Sequence, residues 1–184
     1  MNLTNELINS LIDESKNYVD KDLSKYGYSS DIKHLLYIII PAFIIKYSLK
    51  NKNKILTTFK KVPLIETNEN EKLHQAFYTS IPKYKGNKIF TRKFILIRHY
   101  NNKSLIELID NIIHEYNHAI NSYENEIKLS KDYLYLRTGL SYAKYNRSTL
   151  KYLNSDDKTI LEEILNTKQT EDIILILKKY LNMI

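Results

Sequence analysis

Residues 110–121 read DNIIHEYNHAIN, so His114 and His118 stand four apart and Glu115 follows the first. Positions i and i+4 of a helix lie on one face, one turn apart. The two imidazoles can therefore aim at one point. Zinc takes imidazole nitrogen at about 2.0–2.1 Å, and two such ligands fill half of a tetrahedral shell. Glu115 is turned about 100° from His114 at 3.6 residues per turn. That direction is the open side, where a metal-bound water would sit. The arrangement is H-E-x-x-H: two ligands, plus a general base that deprotonates the water. The x positions are Tyr116 and Asn117, and Ala119 and Ile120 follow, with no charge or proline among them.

Catalytic zinc takes three protein ligands and keeps one position open. The chain has no cysteine, which leaves His, Asp and Glu as the strong ligands. The short continuation to a glycine and a third histidine is absent, because Asn121 and Ser122 stand where it would begin. The first source of a third ligand is the helix expected around Leu161-Glu162-Glu163-Ile164. Its apolar face reads Ile160, Leu161, Ile164 and Leu165. Glu162 and Glu163 flank that face about equally, and periodicity alone does not choose between them. Further candidates are Glu124 and Glu126, just past the histidine helix, and His34, His74 and His99, each of which reads more simply as a structural or exposed side chain.

Ser104 and Glu107 spell the S-x-x-E capping box, which predicts the start of the histidine helix. Leu105, Ile109, Ile112, Ile113, Tyr116 and Ile120 give that helix an apolar face. Upstream, QAFYTSIPKY and NKIFTRKFILIRHY are aromatic and β-branched, and YKGN with Gly86 lies between them as a turn. This predicts an antiparallel pair in which FILIR (94–98) is the best strand. Downstream, 132–145 reads as strand broken at Gly139. Ser155 or Asp156 caps a helix through TILEEILN, and Thr170 starts a last helix to about Leu181. Toward the N-terminus, helical spacing over 4–25 ends at Gly27, and Ser30 or Asp31 opens an apolar helix to about Leu49. Pro41 should kink or interrupt that helix. Residues 54–66 carry a possible short strand before Pro63. The order predicts an α+β domain with a helical N-terminal part over 1–50 and a core over 75–184.

The length of 184 residues suits a single domain, and 43% hydrophobic residues suffice for a real core. Three glycines and three prolines point to a helix-rich fold with few tight turns. The net charge of +7 reads as lysine spread over a solvated surface. KNKNK (50–54) with Lys60 and Lys61 is the densest basic region and reads as a solvated loop, so no nucleic-acid partner is expected. The N-terminus is acidic and polar, with no leader pattern, which predicts a cytoplasmic location. LLYIIIPAFII (35–45) is too short to cross a bilayer, which takes about 20 residues, so no transmembrane segment is expected.

With HEYNH on one helix and LEEILN on a later one, the chain resembles the gluzincin zinc metallopeptidases over roughly 88–175. The block HEYNHAINSYENEI…YLRTGLSY…LEEILNTKQTEDII also looks like small metallopeptidase-like proteins of clostridia. In gluzincins the later helix often carries a leucine-x-glutamate-glycine signature, which places the ligand at Glu163. Ile164 stands where the glycine is usual, which keeps Glu162 open. The resemblance implies a zincin-like fold, a small antiparallel-type sheet beside the active-site helix. It implies a Zn2+ cofactor, a peptide or protein substrate, and attack of a zinc-bound water on the peptide carbonyl with Glu115 as base. It also implies an edge strand that pairs with the substrate, a description FILIR fits. Tyr142, Tyr145, Arg137 and Arg147 lie between the two metal helices as oxyanion donors, with Tyr145 taken as the catalytic one. Asp110 and Asp172 are candidates to orient the histidines. The alternative is a zinc-stabilised binding or regulatory protein that cleaves nothing.

Overall fold

Thr4 accepts a hydrogen bond from the Leu7 amide and starts α1, Asn5–Asp22, which buries Ile8, Leu11 and Val19. Gly27, at φ 64°, ends the short turn that follows. Ser29 then caps α2, Ser30–Tyr47. The computed structural model describes residues 4–67, 75–98, 104–122, 127–138, 141–155 and 159–180. His74, His99, Glu124, Glu126, Gly139, Asp156 and Leu181 lie outside the described residues.

α2 is not interrupted at Pro41, the position expected to kink or interrupt it. Pro41 sits inside the helix and is buried with Ile38, Ile39, Ile40, Phe43 and Ile44. A proline in a helix interior costs about 3 kcal/mol. Full burial of one large apolar side chain returns about 1.5–3 kcal/mol, so packing on every side of α2 outweighs the lost bond. The break falls at Ser48, φ 79°, where the axis turns by 117°. KNKNK is then not a loop: it forms a 3-10 turn and the start of α3, Lys52–Lys61. The expected strand lies after Pro63, as β1, Leu64–Thr67. No single helix among the described residues is long and apolar enough to cross a membrane.

β2, Ala76–Lys85, and β3, Lys88–Arg98, form the expected antiparallel hairpin, closed at Lys85 and Lys88 around Gly86 at φ 59°. β1 pairs with β3 in parallel, so the sheet order is β1-β3-β2 and the sheet is mixed. FILIR is therefore the central strand, hydrogen-bonded on both sides. The edge strands are β1 and β2, and among the described residues no strand pairs with the outer side of β2.

Ser104 caps α4, Leu105–Asn121, by accepting from the Glu107 amide, as the S-x-x-E spelling predicts. A second, antiparallel sheet follows in the order β4-β5-β6-β7: Ile127–Leu129, Tyr133–Thr138, Ser141–Asn146 and Tyr152–Ser155. The last element is a single helix, α5, Thr159–Tyr180, where two were expected. Thr170 starts nothing: it is buried inside α5, and its hydroxyl donates to the Asn166 carbonyl.

One hydrophobic core runs from Leu11 in α1 to Leu177 in α5 and includes Ile95 and Ile97 of β3 and Ile112, Ile113 and Tyr116 of α4. The N-terminal helices are thus part of the body that holds α4. The architecture is α+β with two small sheets, and α4 lies between the inner face of the mixed sheet and the helices.

Candidate metal centre

The two x residues of HEYNH fix the helix that carries the histidines. Tyr116 is fully buried, stacks on Phe59 at 3.9 Å between ring centroids, and donates its hydroxyl to the Val62 carbonyl. Asn117 is also fully buried; it accepts from the Tyr47 hydroxyl at 2.8 Å and donates to the Thr170 hydroxyl at 3.0 Å. These contacts tie α4 to α2, α3 and α5. His114, Glu115 and His118 are left facing a cleft of about 840 Å³.

The ligand atoms of His114, His118 and Glu163 lie within 4.8 Å of one another. His114 Nε2 is 3.2 Å from His118 Nε2 and 3.0 Å from Glu163 Oε2, and His118 Nε2 is 3.3 Å from Glu163 Oε1. Tetrahedral ligands about 2.0–2.1 Å from zinc stand about 3.3–3.4 Å apart. The donor set and its spacing fit zinc.

Glu162 has a different place. It is 3% exposed, and its Oε1 accepts from His118 Nδ1 at 2.8 Å. Its Oε2 accepts from the Ser141 amide at 3.2 Å. The carboxylate so fixes the ring with Nε2 toward the ligand cluster. The Asn166 amide lies 2.6 Å from the same Nδ1 and accepts in turn from Asn121. Asp172 does not serve the histidines: it pairs with Lys46 on α2 and with Lys168. Asp110 makes no hydrogen bond to His114 among the described residues; burial raises its pKa and the nearby imidazole opposes that.

This placement follows from a reversed helix face. Ile160, Leu161, Ile164 and Leu165 point outward, Ile164 at 62% exposed, whereas Glu162, Asn166 and Thr170 point inward. The stripe 162, 166, 170, 173, 177 keeps helical spacing and ends in buried Ile173 and Leu177. That spacing was the signal available in the sequence. Four apolar residues at the N-terminal end of α5 outweighed it.

Burial raises the pKa of Glu115, and the charges of His118 and His114 oppose that rise. Its Oε2 accepts from the Tyr78 amide at 2.5 Å. The hydrogen bonds Arg98 N–H to Gln75 and Ile95 N–H to Pro63 set the alternation of the ladder. They direct the N–H and C=O of Tyr78 and Ser80 to the free edge of β2, into the cleft. Glu115 takes the first of these donors. The Tyr145 hydroxyl donates to the Ser80 carbonyl at 2.9 Å.

Of Tyr142, Tyr145, Arg137 and Arg147, the expected oxyanion donors, Tyr145 lines the cleft. Burial pushes its pKa up to about 12, so it is a protonated donor at neutral pH. Tyr142 accepts from Arg137, and Arg147 donates to the Ser130 carbonyl. His34 is exposed on α2 beside Tyr37.

Comparison of the chain with protein-family models, curated proteins and solved structures returns no match.

Proposed function

We propose that this protein is a zincin-like zinc metallopeptidase of gluzincin type. The observation that supports it is the convergence of His114, His118 and Glu163 beside Glu115, at the free edge of a strand. His114, His118 and Glu163 would hold the ion. A zinc ion there supplies Lewis acidity toward a carbonyl and makes water a nucleophile near neutral pH.

The chain's own residues do the rest. The outward N–H and C=O groups of β2 offer main-chain partners to an extended peptide. Glu115, exchanging its bond to the Tyr78 amide for one to the attacking water, takes the proton and passes it to the leaving amine. Its raised pKa brings it closer to the pH at which both transfers must run. Tyr145 is the proposed donor to the carbonyl oxygen as negative charge develops there.

The test pairs metal analysis with a peptide-library digest. Wild type should carry stoichiometric zinc, and His118→Ala should carry none. Glu115→Gln should keep the zinc and lose hydrolysis by about 10²–10⁴-fold. A second reading rests on the bond between Glu115 and the Tyr78 amide. A carboxylate tied to a strand can be structural, and the protein would then hold zinc and cleave nothing. Zinc-loaded wild type inert toward every peptide would favour that reading.

A further inference from the structure

Strand pairing gathers cations that the sequence scatters. Residues 76–98 contain Lys83, Lys85, Lys88, Arg92, Lys93 and Arg98 and no Asp or Glu. The register sets Ile81 opposite Arg92, Lys83 opposite Phe90 and Lys85 opposite Lys88. Cross-strand partners share a face, and so do alternate residues along a strand. Lys83, Lys85, Lys88 and Arg92 therefore stand on one face with Ile81, Phe90 and Phe94.

That face is turned away from α4. The opposite face carries buried Ser80, Pro82, Ile95 and Ile97, and Tyr84 on it donates to the Arg147 carbonyl at 2.6 Å. The cationic face is open: Ile81 is 37% and Phe90 41% exposed, and all four cations are exposed. None of the four has a carboxylate partner among the described residues. The Arg92 guanidinium stands 5.8 Å from the Phe94 ring. Of these residues only Ile81 also lines the cleft.

We propose that this face binds single-stranded nucleic acid. Unpaired cations on an extended surface meet phosphates, and phenyl rings between them give bases a surface to stack on. An anionic bilayer fits less well. Interfacial anchoring needs apolar side chains that reach about 5–10 Å into the headgroup boundary. Here they lie behind the Lys85–Lys88 tip, between long cationic stems. An acidic polypeptide would satisfy the cations and leave the open rings unused.

The experiment is fluorescence anisotropy of the full chain with labelled oligo(dT) and oligo(U) of about 12 nucleotides. Salt is varied from about 50 to 200 mM. Binding should weaken steeply with salt. The Lys83→Gln/Lys85→Gln/Arg92→Gln variant should bind at least about tenfold more weakly, with the salt slope reduced by about 2. Phe90→Leu should lose about tenfold with the slope unchanged, because it removes stacking and keeps the charge. Circular-dichroism melting of each variant checks that the fold is retained. Absence of binding at the lowest salt would overturn the proposal, as would full affinity in the triple variant. So would displacement by polyglutamate at equal charge with no effect of Phe90→Leu, or a preference for phosphatidylserine vesicles over either oligonucleotide.

Discussion

Glu162 accepts a hydrogen bond from His118 Nδ1 at 2.8 Å from a position almost closed to solvent, while its neighbour Glu163 faces the other nitrogen of the same ring. Adjacent residues on one helix turn so serve opposite edges of one imidazole. The two glutamates should therefore fail differently. Glu163→Ala removes a donor, and stoichiometric zinc should be lost. Glu162→Gln keeps the shape and one acceptor oxygen but loses the charge that orients His118. Zinc affinity should fall by about 10–100-fold, with the fold intact. Competition against a chromophoric chelator measures both. Equal loss in the two variants would refute this division of roles.

His118 also sets the pH dependence. Burial lowers its pKa, but hydrogen bonds to Glu162 and Glu163 and the charge of Glu115 raise it to about 10. In the metal-free chain this protonated histidine adds stability that is fully present below its unfolded pKa of about 6.5. That contribution is lost as pH rises through about 10. A metal needs the neutral ring, so binding below that pH must expel a proton. Affinity should fall by about tenfold per unit as pH is lowered. Calorimetric titration in buffers of different ionisation enthalpy should count about one proton released per zinc. A heat independent of buffer would contradict this.

HEYNH and its capping box were legible because both depend on spacing within one helix, where geometry is local. The hairpin around Gly86 was legible for the same reason. Partners that meet through tertiary packing were not. FILIR reads as the strongest strand, but an apolar run reports how a strand's faces are covered and carries no sign of how many neighbours its backbone pairs with. The edge at the cleft belongs instead to β2, whose Pro82 needs no partner for a missing N–H. α5 misleads because Ile160, Leu161 and Ile164 look like a core face, while the true inner face starts polar at Glu162 and Asn166 to serve His118. A site that must face inward can invert the apolar pattern of its own helix.

Asn117 is the second x of HEYNH and joins three helices. It accepts from Tyr47 of α2 and donates to Thr170 of α5. Asn117→Ala should strand two hydroxyls, since Tyr47 loses its acceptor and Thr170, which still donates to the Asn166 carbonyl, loses the donor it accepts from, at a cost of about 2–3 kcal/mol. For a chain of this size that lowers Tm by about 5–10 °C. Adding Thr170→Val removes one of the stranded groups, so the double variant should lose less than the sum of the two single losses. Thermal melts of the three variants give the coupling. Strict additivity would show that the bridge carries no joint energy.

Tyr145 closes the set, because its hydroxyl has two possible employments. It donates to the Ser80 carbonyl, which the ladder parity directs into the cleft. As an oxyanion donor it would have to release that carbonyl, and a substrate strand reaching for the same group would compel the exchange. Tyr145→Phe keeps the ring packed against β7, where Tyr152 meets it edge-on, and removes only the donor. If the hydroxyl acts on the reacting carbonyl, kcat should fall by about 10²–10³-fold with KM little changed. Were it only a clasp on the edge strand, KM would improve as the Ser80 carbonyl became available, and kcat would stay. Steady-state kinetics on one cleaved peptide separates the two, and an unchanged kcat removes Tyr145 from the catalytic set.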